Sequence, residues 1–194
     1  MTLLAATRAS LCALALSGVL AACSSEADLA EKPDPIGSFR LGHAVVVARE
    51  AQKGPLSREA SQEELESTLK AALERRLQRY DGDKWYHVAV SVDGYILAVP
   101  GVPLVASPRS ALILGLEIWD DELGAKITEE AAQLIIVEEV SGSSLVGSGL
   151  TQSAEQQLER LSRAAARRVE DWLVENGSLF GGEDRVRPPE PSGT

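Results

Sequence analysis

Four segments in the middle of the chain carry the hydrophobic pattern of β-strands, with apolar residues at every second position or in a short continuous run. They are residues 41–48, 85–97, 111–119 and 133–140. The first contains Val45, Val46 and Val47, and a continuous β-branched run of this kind predicts a strand that is buried on both faces. Gly94 interrupts the alternation of the second segment and predicts a bulge or a bend there.

Two longer segments have the spacing of amphipathic helices, with apolar residues three or four positions apart. The first spans about residues 61–80, and its apolar stripe consists of Leu65, Leu69, Ala72, Leu73, Leu77 and Tyr80. The second runs from Ser153 to a stop signal at Asn176-Gly177, and its stripe consists of Leu158, Leu161, Ala165, Val169, Trp172 and Leu173. Both begin with a capping box, Ser61 with Glu64 and Ser153 with Gln156.

The order of these elements is β-α-β-β-β-α, which predicts an α+β fold. One apolar stripe on each helix favours a two-layer sandwich, in which a mixed four-stranded sheet carries both helices on one face. The first two strands are expected to lie parallel with a right-handed crossover, and the last two to form an antiparallel hairpin. Over residues 39–180 this arrangement resembles, in architecture alone, the small periplasmic α/β domains of curli-secretion-type lipoproteins and the N-terminal domain of the Tol-system propeller protein.

The amino terminus has the pattern of a secretory signal. Arg8 precedes an apolar run, residues 11–20, which is too short to span a bilayer as a helix. The run ends in Leu20-Ala21-Ala22-Cys23, which resembles the lipobox of bacterial lipoproteins. The resemblance implies that residues 1–22 are removed as a signal peptide and that Cys23 becomes an acylated first residue, held in membrane lipid. The alternative is an ordinary signal peptide cut nearby, with Cys23 as an incidental thiol.

Polar segments flank the predicted domain. Residues 23–38 consist of the acylated cysteine and a charged stretch with two prolines, which predicts a flexible tether. Residues 39–180 are expected to form a single α/β domain, and residues 181–194, with three prolines and no apolar periodicity, a disordered tail. By resemblance to enterobacterial lipoproteins, Ser24 after the lipidated cysteine favours the outer membrane over the inner membrane.

The composition narrows the possible functions. A formal net charge of −10 disfavours electrostatic binding to nucleic acid, so no nucleic-acid partner is expected. Two cysteines and two histidines leave few ligands for a zinc or haem site, and no cofactor is expected. The chain contains no Gly-x-Ser-x-Gly, His-Glu-x-x-His or Walker motif. The expected partners are membrane lipid, through acylated Cys23, and other envelope proteins.

His43 and His87 are weak candidates for ligand binding, together with Asp93. Both histidines fall in predicted strands and would approach each other if the first two strands pair. Because Asp93 and Ser91 share a face with His87 under strand alternation, these groups could act as a general base or bind a ligand or metal ion. The structural alternative is that both histidines are hydrogen-bonded or half-exposed residues of a sheet.

Two other segments have a possible binding chemistry and an ordinary structural alternative. Residues 142–149 contain three glycines before a helix start, a pattern that resembles an anion cradle in outline and also suits a plain connector. Residues 120–122, Asp-Asp-Glu, could bind a divalent cation weakly or form the solvated tip of a hairpin.

These observations lead to two hypotheses about function. The first is a non-enzymatic lipoprotein that faces the periplasm as an assembly, scaffold or accessory component of the cell envelope. The second is a tethered small-molecule binder or hydrolase-like enzyme that uses a cleft near His87 and Asp93 or the loop 142–149. A polar-lined concave site would favour the second hypothesis, whereas an exposed apolar patch or an unpaired sheet edge would favour the first.

Overall fold

The computed structural model describes residues 29–99, 109–138 and 153–181. The predicted signal peptide, Cys23, the loop 142–149 and all but the first residue of the predicted tail lie outside the described residues. By its contacts the chain divides between Asp34 and Pro35. Every element named below belongs to the second unit, Pro35–Thr194.

The four predicted strands and both predicted helices are present, and two strands of two residues each accompany them. In chain order the elements are β1 (Phe39–Val47), β2 (Gln52–Lys53), α1 (Gln62–Leu77), β3 (Lys84–Ile96), β4 (Ala111–Asp120), β5 (Ala125–Lys126), β6 (Ala132–Val137), α2 (Ala154–Glu175) and a 3₁₀ helix (Gly177–Phe180). The predicted capping boxes are confirmed, because the Ser61 and Ser153 hydroxyls each accept a hydrogen bond from the backbone N–H three residues later. In return, the backbone N–H groups of the two serines donate to the side chains of Glu64 and Gln156.

The strands form one mixed sheet. β1 pairs with β3 in parallel, and β3 pairs with β4 in antiparallel fashion. The hairpin predicted for the last two strands is confirmed as the antiparallel pair β4–β6. β2 and β5 lie beside β3 and β4, so that the sheet has six strands where the sequence predicts four. The predicted α+β class is confirmed.

Both helices cover the same face of the sheet. α1 packs on β1, α2 packs on β4 and β6, and the two helices contact each other. The leucines of the α1 stripe are buried, with Leu73 and Leu77 fully inaccessible. The sheet residues beneath them, among them Val88 and Ile118, are equally buried. The core therefore lies between one helical layer and one face of the sheet, as the two-layer prediction requires.

The prediction that the first strand is buried on both faces is wrong. Ala44 and Val46 are in the core, but the side chains of Val45 and Val47 are 49% and 42% exposed. β1 lies at one edge of the sheet, and the helices cover only one face. The β-branched run thus correctly indicates a strand, but it does not show that both faces of the strand are buried.

The predicted bulge at Gly94 is confirmed. The register between β3 and β4 shifts between Val92 and Gly94. Before the shift the even-numbered residues of β3 face the core, and after it Tyr95 and Leu97 do so. Successive side chains of a strand point to opposite faces of the sheet. One extra residue therefore changes which positions face the core.

The core also takes in residues at both ends of the domain. Ile36, which lies in the predicted tether 23–38, is 1% exposed. Phe180, in the closing 3₁₀ helix, is fully buried, and its carbonyl accepts a hydrogen bond of 2.9 Å from the Ser38 backbone. The ring of Phe39 contacts Tyr86 and Phe180 at centroid distances of 5.7 Å and 5.5 Å, and those two rings contact each other at 5.0 Å. The two ends of the described domain are therefore joined through aromatic packing.

Candidate functional site

The face of the sheet that the helices leave uncovered, termed the open face, carries seven of the ten exposed large apolar residues in the described part of the chain. The exposed large apolar residues of its strands are Val45, Val47, Trp85, Ile113, Trp119, Ile135 and Val137. Single exposed apolar residues are common on protein surfaces, whereas a group of them on one face marks an interaction surface. The open face is therefore the candidate functional site.

One end of the open face is aromatic, and we term His43, Trp85, His87 and Trp119 the aromatic end. The imidazole rings of His43 and His87 are stacked, with a centroid distance of 5.1 Å and an interplanar angle of 18°. His87 lies directly opposite Trp119 in the β3–β4 register. The guanidinium carbon of Arg40 lies 5.1 Å from the Trp85 ring centroid, a cation–π contact. The expected approach of the two histidines is confirmed.

Gly42 makes the histidine stack possible. The β1–β3 register shifts between Leu41 and His43, so that Gly42 is an extra residue beside the His87 side chain. A Cβ atom at Gly42 would lie 2.7 Å from both Nδ1 and Cε1 of the His87 ring. Glycine is therefore the residue that permits this close approach.

The structure gives His87 a different carboxylate from the one that the sequence suggests. Nε2 of His87 lies 3.0 Å from Oδ1 of Asp121, in the turn after β4. Asp93 shares the strand face with His87 but lies six residues further along β3, about 20 Å away at the rise of a strand. Asp93 instead accepts a hydrogen bond of 2.8 Å from the Ser91 hydroxyl. His43 and His87 are thus brought together, Asp93 is not brought to them, and ligand binding by any of the three stays a prediction.

The acidic turn at residues 120–122 has protein partners. Oδ1 of Asp120 accepts a hydrogen bond of 3.0 Å from the Leu123 backbone, which closes the turn. Glu122 pairs with Lys84 at 3.0 Å, and hydrogen bonding to this carboxylate raises the pKa of Lys84. Across the described ranges no group of three or more His, Cys, Asp or Glu residues has a metal-binding arrangement.

The other end of the open face is aliphatic, and we term Ile113, Ile135 and Val137 the aliphatic end. Ile113 lies opposite Ile135 in the β4–β6 register, and Val137 follows two residues later on the same face. On β3 and β4 a row of small and polar residues separates it from the aromatic end, and exposed Val47 lies beside that row on β1. That row contains Ser91 and Gly115, where a Cβ atom would lie 2.6 Å from the serine hydroxyl. The open face therefore has two apolar areas on β3, β4 and β6, with Val45 and Val47 between them on the edge strand β1.

A buried charged cluster that was not predicted from the sequence joins the two helices on the opposite side of the sheet. The carboxylate of Glu170 in α2 accepts hydrogen bonds from Arg76 (2.5 Å), Arg79 (2.7 Å) and the Tyr80 hydroxyl (2.8 Å). Burial alone would raise the pKa of Glu170, but these three hydrogen bonds together lower it. Burial and the bond to Glu170 raise the pKa of Tyr80. The sequence signal is the position of Glu170 directly after Val169, within the apolar stripe of α2.

Among the helices of the described residues, none combines the length and the apolar character needed to cross a membrane.

No protein-family model matches the sequence, and no curated protein matches it. Similar solved structures include a Xanthomonas campestris protein of family DUF330, with 13% identity and a TM-score of 0.44, covering 75% of this chain and 88% of that one. A candidate lipoprotein from Caulobacter crescentus has 18% identity and a TM-score of 0.34, covering 68% and 88%. The PelC dodecamer from Paraburkholderia phytofirmans has 14% identity and a TM-score of 0.33, covering 69% and 92%. Similarity at this level says nothing about function.

Proposed function

We propose that the protein is a lipid-anchored lipoprotein of the bacterial cell envelope, held in the membrane by acylated Cys23. Its domain faces the periplasm and acts without catalysis, as an assembly, scaffold or accessory component. The motif Leu20-Ala21-Ala22-Cys23 supports the anchor. Ser24 supports delivery to the outer membrane rather than the inner one.

The observation that carries the accessory role is the set of exposed apolar side chains on the open face. The side chains of Ile135 and Val137 are 62% and 46% exposed on adjacent positions of one strand face. Burying such groups against a partner contributes about 25 cal/mol for each Å² of apolar surface removed from water. The aliphatic end is therefore the area that we assign to an envelope protein partner.

The arrangement of the candidate side chains favours this role over the enzyme or small-molecule hypothesis. In a cleft that uses both His87 and Asp93, the two side chains would have to contact the same substrate. At the rise of a strand they lie about 20 Å apart. The carboxylate that does contact His87, Asp121, is 58% exposed on a turn. A histidine paired with an exposed carboxylate is an ordinary surface interaction.

The anchor is tested by Cys23→Ser, with Cys12→Ser as the matched control. Cys12 lies within the predicted signal peptide, so its replacement should leave the mature protein unchanged. We expect Cys23→Ser to remain an unprocessed precursor or to appear in the soluble periplasmic fraction, while Cys12→Ser stays with the membranes. Membrane association of Cys23→Ser equal to that of Cys12→Ser contradicts the proposed anchor.

The partner surface is tested by placing a photo-crosslinking amino acid at Ile135 in cells. The matched control position is Lys70 on α1, whose side chain is 52% exposed on the helical layer. We expect one discrete envelope-protein adduct from position 135 and none from position 70. The same adducts from both positions, or none from position 135, contradict the assignment of the aliphatic end to a protein partner.

A further inference from the structure

We propose that the aromatic end of the open face, together with Leu123, docks on the lipid bilayer in which the protein is anchored. The side chains insert at the interface between the lipid headgroups and the acyl chains. This inference rests on the proposed lipid anchor and adds an orientation of the domain at the membrane.

The side chains at this place have the chemistry of a bilayer interface. Trp85 and Trp119 are 47% and 41% exposed on neighbouring strands, and Leu123 is 68% exposed at the tip of the adjoining turn. Indole rings are enriched at membrane interfaces because an apolar ring and a polar N–H suit a layer that is apolar on one side and wet on the other. A leucine at a turn tip can enter the acyl region beside them.

The three side chains lie at the end of the sheet where the anchor segment enters the domain. Phe39, the first residue of β1, is the register partner of Lys84, which immediately precedes Trp85. Lys84 is paired with Glu122, which immediately precedes Leu123. About a dozen residues connect Cys23 to Pro35, and such a segment spans at most about 40 Å. An acylated Cys23 thus keeps this end of the sheet within reach of the bilayer at a high effective concentration.

The charges beside the aromatic end indicate apolar insertion rather than electrostatic binding. Lys84 is neutralised by Glu122, and Lys126 by Glu117 at 2.8 Å. Arg40 lies over Trp85 and donates a hydrogen bond of 2.9 Å to the Asp81 carbonyl. Because the lysines are already paired and the chain carries a net charge of −10, docking should need neither anionic lipid nor low salt.

The aliphatic end provides a matched control on the same face. Ala111, the register partner of Val137, begins β4, and the turn that bears Leu123 follows the other end of this strand. At the rise of a strand, Val137 therefore lies about 30 Å from that turn. A domain docked through its aromatic end therefore keeps Ile135 and Val137 away from the bilayer. This placement is compatible with a protein partner at the aliphatic end.

The test uses the mature, acylated protein in phosphatidylcholine vesicles whose acyl chains carry bromine, a short-range quencher of tryptophan fluorescence. Trp172, which packs against the core from α2, is the internal reference. We expect the brominated lipid to quench Trp85 and Trp119 and to leave Trp172 bright. Quenching should decrease in Trp85→Phe and in Trp119→Phe, vanish in the double variant, and persist in Trp172→Phe.

Two surface variants and a flotation assay complete the experiment. Leu123→Ser should reduce quenching, whereas Ile135→Ser, at the aliphatic end, should leave it unchanged; high salt and added anionic lipid should have little effect. Protein that floats with the vesicles without quenching of Trp85 or Trp119 overturns the docking and leaves the anchor intact. Quenching that requires anionic lipid overturns the apolar mode of docking. Protein that does not float overturns the proposed anchor and the docking together.

Discussion

Nε of Arg76 lies 2.5 Å from Oε2 of Glu170, which joins the last turn of α1 to α2 inside the helical layer. Both side chains are less than a tenth exposed. Two further donors, from Arg79 and Tyr80, occupy the other carboxylate oxygen. A buried carboxylate with this many partners fixes the relative position of the helices, because moving either helix would leave a charge buried without its partner.

We expect Glu170→Gln to lower the free energy of unfolding by about 3–5 kcal/mol, the usual effect of removing one partner of a buried ion pair. The matched control is Glu175→Gln, which changes a carboxylate of the same helix that is 60% exposed and pairs with Arg168. Surface changes of that kind alter stability by about 0.5 kcal/mol or less. Urea denaturation of both variants measures the difference, and equal effects would show that the cluster does not hold the helices together.

The same cluster predicts how stability depends on pH. Folding lowers the pKa of Glu170 from its ordinary value of 4.5. The cluster therefore stabilises the protein fully above that value and loses this stabilisation as the pH falls below it. Burial raises the pKa of the neighbouring Asp171, which has the opposite dependence, so the wild type must be compared with Glu170→Gln. We expect the stability difference between the two proteins to shrink as the pH falls from 5 towards 3; a constant difference contradicts the role assigned to Glu170.

Gly42→Ala should disrupt the stack of His43 on His87. Its new methyl group would lie 2.7 Å from two ring atoms of His87, so the imidazole must shift. We expect a loss of about 1–3 kcal/mol, typical of an overpacked site, with large changes in the ring NMR signals of both histidines. Gly177→Ala is the control, since nothing lies within 4 Å of the added atom. Unchanged histidine signals in Gly42→Ala would contradict the register shift.

The histidines also separate the two functional hypotheses. The double variant His43→Gln, His87→Gln keeps hydrogen-bonding capacity but removes both imidazoles, the side chains through which a proton transfer would run. We expect cells carrying it to behave as the wild type rather than as a deletion strain, because an accessory lipoprotein needs no proton transfer. Thermal melting and membrane fractionation of the variant provide the controls. A folded, membrane-associated double variant with the deletion phenotype would favour the enzyme or binder hypothesis.

The helices and the longer strands could be predicted from the sequence, because each is long enough to show a repeating pattern of apolar residues. Leu65, Leu69 and Leu73 repeat often enough to define a helical face, and capping serines mark both helix starts. β2 and β5 could not be predicted, because a strand of two residues is too short to show an alternation of apolar and polar residues. The second face of β1 was predicted wrongly, because the number of helical layers above a strand is a tertiary property.

The candidate site was less predictable, since it depends on strand register. Pairing of the first two strands was enough to bring His43 near His87. The contact with Asp121 depends on where the β4 turn begins, which hydrophobic alternation does not specify. The pair of Glu170 with Arg76 joins residues 94 positions apart. The place of Glu170 within the apolar stripe of α2 indicates a buried carboxylate, but it does not identify Arg76 as the partner.

The lipid anchor at Cys23 can be measured as the mass of the amino-terminal peptide of protein extracted from membranes. We expect this peptide to begin at Cys23 and to carry a diacylglyceryl group on the thiol, with or without a third acyl chain on the new amino group. A peptide that begins elsewhere, or that begins at Cys23 with a free thiol, contradicts a lipid anchor at this residue.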